Sequence, residues 1–143
     1  MNIAVVGTGY VGLVSGACFA EMGVNVTCVD VDEAKIEGLK NGQIPIYEPG
    51  LKDLVVRNFE AKRLHFTTDL PSVLNNMDIV FIAVGTPSDD EGDADLKYGW
   101  QVTNTIADNI SKSLLIVTKS TVTVGTTHEI KKRISTRLEE RNK

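Results

Sequence analysis

The chain has 143 residues, a formal net charge of −4, and 42% hydrophobic against 24% charged residues. That length holds one core of ordinary size but not two full domains. The composition excludes a disordered, collagen-like or coiled-coil chain, and the acidic balance argues against a nucleic-acid binder, which needs a basic face.

Residues 2–6 form a largely apolar run that ends at Gly7. Residues 10–22 contain no proline and read as a helix, with Gly23 placed to stop it. Residues 25–30 are a second β-branched run. A helix over 32–40 follows, with Asp32 as its cap and Gly42 as its end. Pro45 and Pro49 make residues 43–50 a structured loop. The pattern then predicts a helix over 51–61, a short strand over 64–67 and a weak helix over 70–75 with Pro71 in its first turn. Residues 78–84 are the strongest strand. Ile79 to Val84 is continuously apolar, as suits a strand covered on both faces. A polar loop runs from Gly85 to about Lys97. After it come a helix over 99–112, another buried-type strand over 114–118 and a helix over 125–142. The acids at 89–95 read as a solvated loop, and the basic excess at 131–143 as a solvated helix face. No apolar run nears the ~20 residues that cross a bilayer. No Lys or Arg precedes Lys35, so the positive start of a signal peptide is missing. A cytoplasmic protein with no membrane or nucleic-acid partner is expected.

Strands alternating with helices predict βαβ units, hence an α/β domain with a doubly wound, mostly parallel sheet. In that class ligands sit beyond the carboxyl ends of the strands, where strand order reverses. The loops that start at Gly7, Asp30, Gly85 and Ser120 all leave such ends, so they are expected to line one crevice.

The first of these loops reads Gly7-Thr8-Gly9-Tyr10-Val11-Gly12, a G-x-G-x-x-G between a predicted strand and a predicted helix. An acid, Asp30, ends the next strand, about 20 residues on, as the dinucleotide fingerprint requires. Gly7 makes the tight turn, Gly9 lets a diphosphate approach the backbone, and Gly12 lets helix and strand pack closely. The diphosphate then lies at the helix N-terminus, where free N–H groups favour an anion. Gly12, Gly16 and Ala20 fall on one helix face, which would press against the sheet. Asp30 can accept hydrogen bonds from ribose hydroxyls and repels a 2′-phosphate, so NAD is favoured over NADP. Lys35, one turn into the next helix, leans toward the ribose or adenine side or stays a solvated lysine. Cys18 and Cys28 read as buried, inert thiols in apolar surroundings. Neither they nor His65 and His128 have metal-ligand spacing, and no metal is expected.

Four segments together resemble the UDP-glucose/GDP-mannose dehydrogenase family. They are Gly7-Thr8-Gly9-Tyr10-Val11-Gly12-Leu13-Val14, Pro45-Ile46-Tyr47-Glu48-Pro49-Gly50-Leu51, Val84-Gly85-Thr86-Pro87 and Lys119-Ser120-Thr121-Val122. The resemblance spans essentially the whole chain, and within the family it is to the UDP-glucose 6-dehydrogenases. Thr123 departs from it, standing where the family usually has proline.

The resemblance implies a Rossmann-like NAD-binding domain over residues 1–143, the N-terminal part of a larger enzyme whose substrate domain lies outside this chain. It implies oxidation of UDP-glucose to UDP-glucuronate with two NAD, for polysaccharide biosynthesis, through a downstream cysteine. The parent would be a homodimer, and this chain alone would be inactive. Carried onto this sequence, Gly7, Thr8, Gly9, Tyr10, Val11 and Gly12, with Asp30 and Lys35, would hold the adenosine and diphosphate. Thr86 would contact the cofactor. Ser120 and Thr121 would sit near the nicotinamide, and Thr121 would orient a water or the reacting oxygen, since a threonine hydroxyl is a poor base. Two alternatives stay open: the NAD-binding part of a GDP-mannose or UDP-N-acetyl-sugar dehydrogenase, and a stand-alone non-catalytic NAD-binding module.

Overall fold

Strand β1 (Asn2–Val6) divides its side chains between two cores. Ile3 and Val5 join one hydrophobic cluster, and Ala4 and Val6 join the other. This is the two-residue period of the pleat, and a strand apolar on both faces demands cover on both. The computed structural model describes residues 1–143, and the rest of the chain supplies that cover. In order follow α1 (Tyr10–Glu21), β2 (Asn25–Val29), α2 (Glu33–Lys40), α3 (Leu51–Glu60), β3 (Leu64–Thr67) and α4 (Leu70–Leu74). Then come β4 (Ile79–Ile82), α5 (Lys97–Asn109), β5 (Leu115–Thr118) and α6 (Thr126–Glu140).

The five strands are all parallel, in the order β3-β2-β1-β4-β5. The expected α/β, doubly wound architecture is therefore present. Leu13 and Ala17 of α1, Ile36 of α2 and Val55 of α3 cover one face. Leu74 of α4, Ile106 of α5 and Ile130 of α6 cover the other. The chain winds from β1 through β2 to β3 in one direction, then returns to place β4 on the far side of β1. The sheet's direction of winding thus reverses between β1 and β4. No helix is long and apolar enough to cross a membrane.

The helix ends are set by identifiable groups. Asp32 caps α2 by accepting the Lys35 N–H at 3.1 Å, and Asp69 caps α4 by accepting the Ser72 N–H at 3.2 Å. Each such cap contributes about 1 kcal/mol. Asp95 accepts the Lys97 N–H at 2.9 Å, which starts α5 two residues before the expected Gly99. That helix also stops three residues early, because Ile110 turns extended and the Ser111 N–H goes to the Asn75 side chain at 3.0 Å.

Three other expectations need correction. β4 is shorter than the apolar run, because Ala83 leaves the strand where the β1 turn crosses it. β5 is not a buried-type strand: it lies at the sheet edge, and Leu115 is 58% exposed. Cys18 is exposed, not buried, because the stripe of α1 that faces the sheet is Gly12, Leu13, Gly16, Ala17 and Ala20. Cys28 does lie in the core, where burial pushes its thiol up to about 12.

The small-residue stripe does press on the sheet. A Cβ added at Gly16 would come within 2.7 Å of the Cys28 sulfur and 3.6 Å of Val26. The acidic loop folds on itself: Asp89 accepts the N–H groups of Glu91 and Asp93 at 2.9 Å each, and its acids at 89–93 stay exposed.

Candidate functional site

The site begins where β1 stops. Gly7 takes φ +107°, which L side chains rarely adopt, and its N–H donates to Val29 O at 2.7 Å across to β2. A Cβ at Gly7 would collide with the Ala83 carbonyl beside it, so the turn also passes hard against the end of β4. Gly12 lies beneath this turn, where a Cβ would strike the Gly7 carbonyl. These two glycines bring the N-terminus of α1 down onto the point where the winding reverses. Gly9 differs. Nothing lies within 4 Å of a Cβ placed there, and its face opens outward.

A cleft of about 770 Å³ opens at these strand ends, within the range of small-molecule sites. Gly7, Thr8, Gly9, Tyr10 and Val11 line it, as do Asp30, Lys35, Thr86, Ser120 and Thr121. Of the residues singled out in the sequence, only Gly12 stands outside, as a packing position. The loop over residues 43–50 does not line this cleft. Tyr47 is 83% exposed, so its ring does not hold that loop. Ile44 and Ile46 pack the loop onto the core, and the Tyr10 hydroxyl donates to Tyr47 O at 2.7 Å.

Asp30 is the most constrained polar group of the cleft. Its Oδ2 accepts the Thr8 hydroxyl at 2.6 Å and the Thr8 N–H at 3.0 Å. Its Oδ1 accepts the Asp32 N–H at 3.0 Å, and Lys35 Nζ lies 3.7 Å from Oδ2. Burial pushes the Asp30 carboxyl up. The Thr8 hydroxyl, the Asp32 and Thr8 N–H groups and the Lys35 charge more than offset this and hold it below its ordinary 3.8. The acid is therefore an anion at neutral pH, with acceptor capacity left on the cleft side.

On the opposite wall the Ser120 hydroxyl donates to Val84 O at 2.8 Å, with Ile82 O at 3.3 Å. It ties the end of β5 to the end of β4, so toward a ligand it can only accept. Thr86 and Thr121 stand on the loops after those strands, and Thr121 is exposed. Lys35 and Lys119 are the lining cations, against Asp30 and Asp32 as lining acids. That lining carries no excess positive charge. An anion here would rely on the α1 N-terminus, whose first-turn N–H groups have no intrahelical partner.

The sequence reading missed Thr68, Pro71, Tyr98, Gln101, Thr105 and Lys119, which also line the cleft. Tyr98, Gln101 and Thr105 have the i, i+3, i+7 spacing of one helix face. That signal was readable, but a helix started at Gly99 left Tyr98 in the loop.

Comparison with known proteins supplies a family. Residues 1–143 match the UDP-glucose/GDP-mannose dehydrogenase family, NAD binding domain. The chain is 58% identical over 125 residues to UDP-glucose 6-dehydrogenase TuaD of Bacillus subtilis, covering 87% of this chain and 27% of that protein. It is 53% identical over 133 residues to UDP-glucose 6-dehydrogenase of Rhizobium meliloti, covering 92% and 30%. A GDP-mannose dehydrogenase from Pseudomonas aeruginosa, solved as a ternary complex, superposes with TM-score 0.87 at 39% identity, over 91% of this chain and 30% of that one. A UDP-glucose dehydrogenase from Pyrobaculum islandicum gives 0.88 at 35%, over 97% and 32%. The chain spans about a third or less of the length of each of these relatives.

Proposed function

The chain belongs to the UDP-glucose/GDP-mannose dehydrogenase family as its NAD-binding domain, and we propose that it is the cofactor half of an enzyme that oxidises UDP-glucose to UDP-glucuronate. The observation that carries this reading is the cleft of about 770 Å³ at the strand ends, lined by the glycine turn, the anchored Asp30 and the loops holding Thr86 and Thr121. Its shape fits the cofactor. Gly9 leaves open the space that a Cβ would fill, just where a diphosphate must approach backbone N–H groups.

In this reading the first turn of α1 holds the diphosphate. Asp30 and Lys35 take the adenine-side ribose, and Thr86 contacts the cofactor further along. Ser120 accepts a hydrogen bond near the nicotinamide end, and Thr121 orients the reacting oxygen or a water. NAD bound there supplies the hydride acceptor. UDP-glucose is favoured as substrate because the relatives that share 58% and 53% of aligned residues carry that name. We place the sugar site and the nucleophile in the 70% or more of those relatives' length that this chain does not span, and propose that residues 1–143 bind NAD but do not turn over substrate.

Calorimetric titration of this chain with NAD and NADP tests the reading. Binding of NAD in preference to NADP is expected, with no NADH formed on adding UDP-glucose. A chain that does not bind NAD would overturn it.

A further inference from the structure

We infer that Thr8 is a specificity-determining positioning residue: its hydroxyl anchors the Asp30 carboxylate in the orientation that accepts a ribose 2′-hydroxyl and turns away a 2′-phosphate. This deepens the NAD reading of the cleft and rests on it.

Thr8 stands between the two glycines of the turn, Gly7 and Gly9. It is fully buried. It lines the cleft from below, and its side chain is turned to Asp30 and not to the open space. Two donors from this one residue converge on a single oxygen: Oγ1 at 2.6 Å and the N–H at 3.0 Å, both to Asp30 Oδ2. A carboxylate held by one donor can swing about it. Held by two donors from a rigid turn, and by the Asp32 N–H on Oδ1 at 3.0 Å, it cannot.

The count of lone pairs then decides which atom is left for a ligand. A carboxylate oxygen offers about two acceptor sites. Thr8 fills both on Oδ2, and Asp32 fills one on Oδ1. The remaining site is on Oδ1, and a ribose hydroxyl has the proton to fill it. A phosphate at neutral pH carries like charge and lacks that proton, so it meets an anion that cannot turn aside. Lys35, 3.7 Å from Oδ2, is the group toward which an unanchored carboxylate would swing. Without the Thr8 hydroxyl the shortest of the three bonds is gone, and the Thr8 and Asp32 N–H groups hold the two oxygens by one bond each. The carboxylate can then tilt toward Lys35, and the barrier to a 2′-phosphate falls.

The experiment measures dissociation constants of this chain for NAD and NADP, by direct and competition titration, in the wild type, Thr8→Val, Thr8→Ser and Thr8→Ala. Valine keeps the volume and the N–H but removes the hydroxyl, and serine keeps the hydroxyl. Thr8→Val is expected to weaken NAD about tenfold, the loss of one hydrogen bond to a charged group, while NADP changes by less than about twofold. The NAD:NADP preference therefore falls, and Thr8→Ser retains it. A purely structural Thr8 would weaken both cofactors together and leave the ratio unchanged. An unchanged ratio in Thr8→Val overturns the inference, as does a Thr8→Ser that behaves like valine. If thermal melting shows that Thr8→Val does not fold, Thr8→Ala is judged by the same ratio. A wild type that does not bind NAD overturns the underlying reading and this inference together, whereas wild-type binding with an unchanged ratio overturns this inference alone.

Discussion

Gly9 and Gly12 stand three residues apart in the same turn, yet alanine should injure them in different ways. At Gly12 an added Cβ lies 2.8 Å from the Gly7 carbonyl carbon and closer still to its oxygen. Ordinary carbon contacts are about 3.5–4.0 Å, so the carbon alone falls short by roughly 1 Å and the oxygen by more. The obstructing atoms are backbone. Gly7 is itself pinned by its N–H to Val29 O at 2.7 Å, and it is pressed against Ala83. The N-terminus of α1 must therefore move by at least about that ångström. Overpacking of this kind costs about 3 kcal/mol at its upper end, and the better helix propensity of alanine returns about 1, leaving about 2 kcal/mol. For a chain of this length that is a fall in Tm of about 6 °C. The same displacement moves the N–H groups offered to the diphosphate, so NAD affinity should fall at least about tenfold. Gly9 has φ −76° and no atom within 4 Å of an added Cβ. Losing glycine at the helix cap costs about as much as the stiffer unfolded chain returns, so Gly9→Ala should melt within about 2 °C of wild type. Its methyl would still stand in the ligand's approach, and NAD binding should weaken sharply. Differential scanning calorimetry and titration calorimetry on both variants separate the effects. Wild-type NAD affinity in Gly9→Ala would refute the placement of the diphosphate. A wild-type Tm in Gly12→Ala would refute the close contact of helix and turn.

Other consequences are open to direct measurement. Asn58 is fully buried, donates to Glu21 and Leu54 O, and accepts from Arg63 Nε and Nη2 at 3.1 and 2.8 Å. Asn58→Ala removes both bonds to Oδ1 and leaves the guanidinium only its Nε donation to Ala20 O at 3.1 Å; it should cost about 3 kcal/mol, read as a lower urea midpoint at unchanged m. Cys18 is exposed and Cys28 is buried with its thiol pushed up to about 12. A thiol reagent should label one site in the native chain, found at Cys18 by peptide mass spectrometry, and two in urea; native labelling of Cys28 would contradict this core. The Asp30 carboxyl is held below its ordinary 3.8, so the stability it contributes is complete above that pH and is lost as pH falls through the lowered folded value. The Tm gap between wild type and Asp30→Asn should be constant from neutrality to pH 5 and close below pH 3.8; a gap that persists in acid would show that the charge is not its source.

Much of this architecture is written in local pattern, and the exceptions have separate causes. The runs at 79–84 and 114–118 look alike as sequence, yet β4 lies between two strands and β5 at an edge. Which strand becomes an edge is decided by where each crossover lands, and no residue of the strand records it. The exposure of Cys18 has a different origin. α1 is apolar nearly throughout, so hydrophobicity alone does not choose its inner face. The glycines at 12 and 16 do, because a Cβ at those positions would strike Gly7 and Cys28. The start of α5 turned on Asp95 accepting an N–H two residues on, a short-range signal that the run of neighbouring acids obscured.

The Thr8–Asp30 bond is the hardest of these to read, since 22 residues separate the partners. Register brings them together. Parallel pairing sets Val6 beside Val29, so both chains leave the sheet at the same level and on the same edge. Slipping β1 by one residue against β2 would turn Ile3 and Val5 to the wrong core and carry Thr8 away from Asp30 in the same move. The alternation that buries β1 on both faces thus also fixes the acid of the cleft. A sequence change that loosens the core alternation of β1 should therefore reach cofactor selectivity without touching a residue of the site.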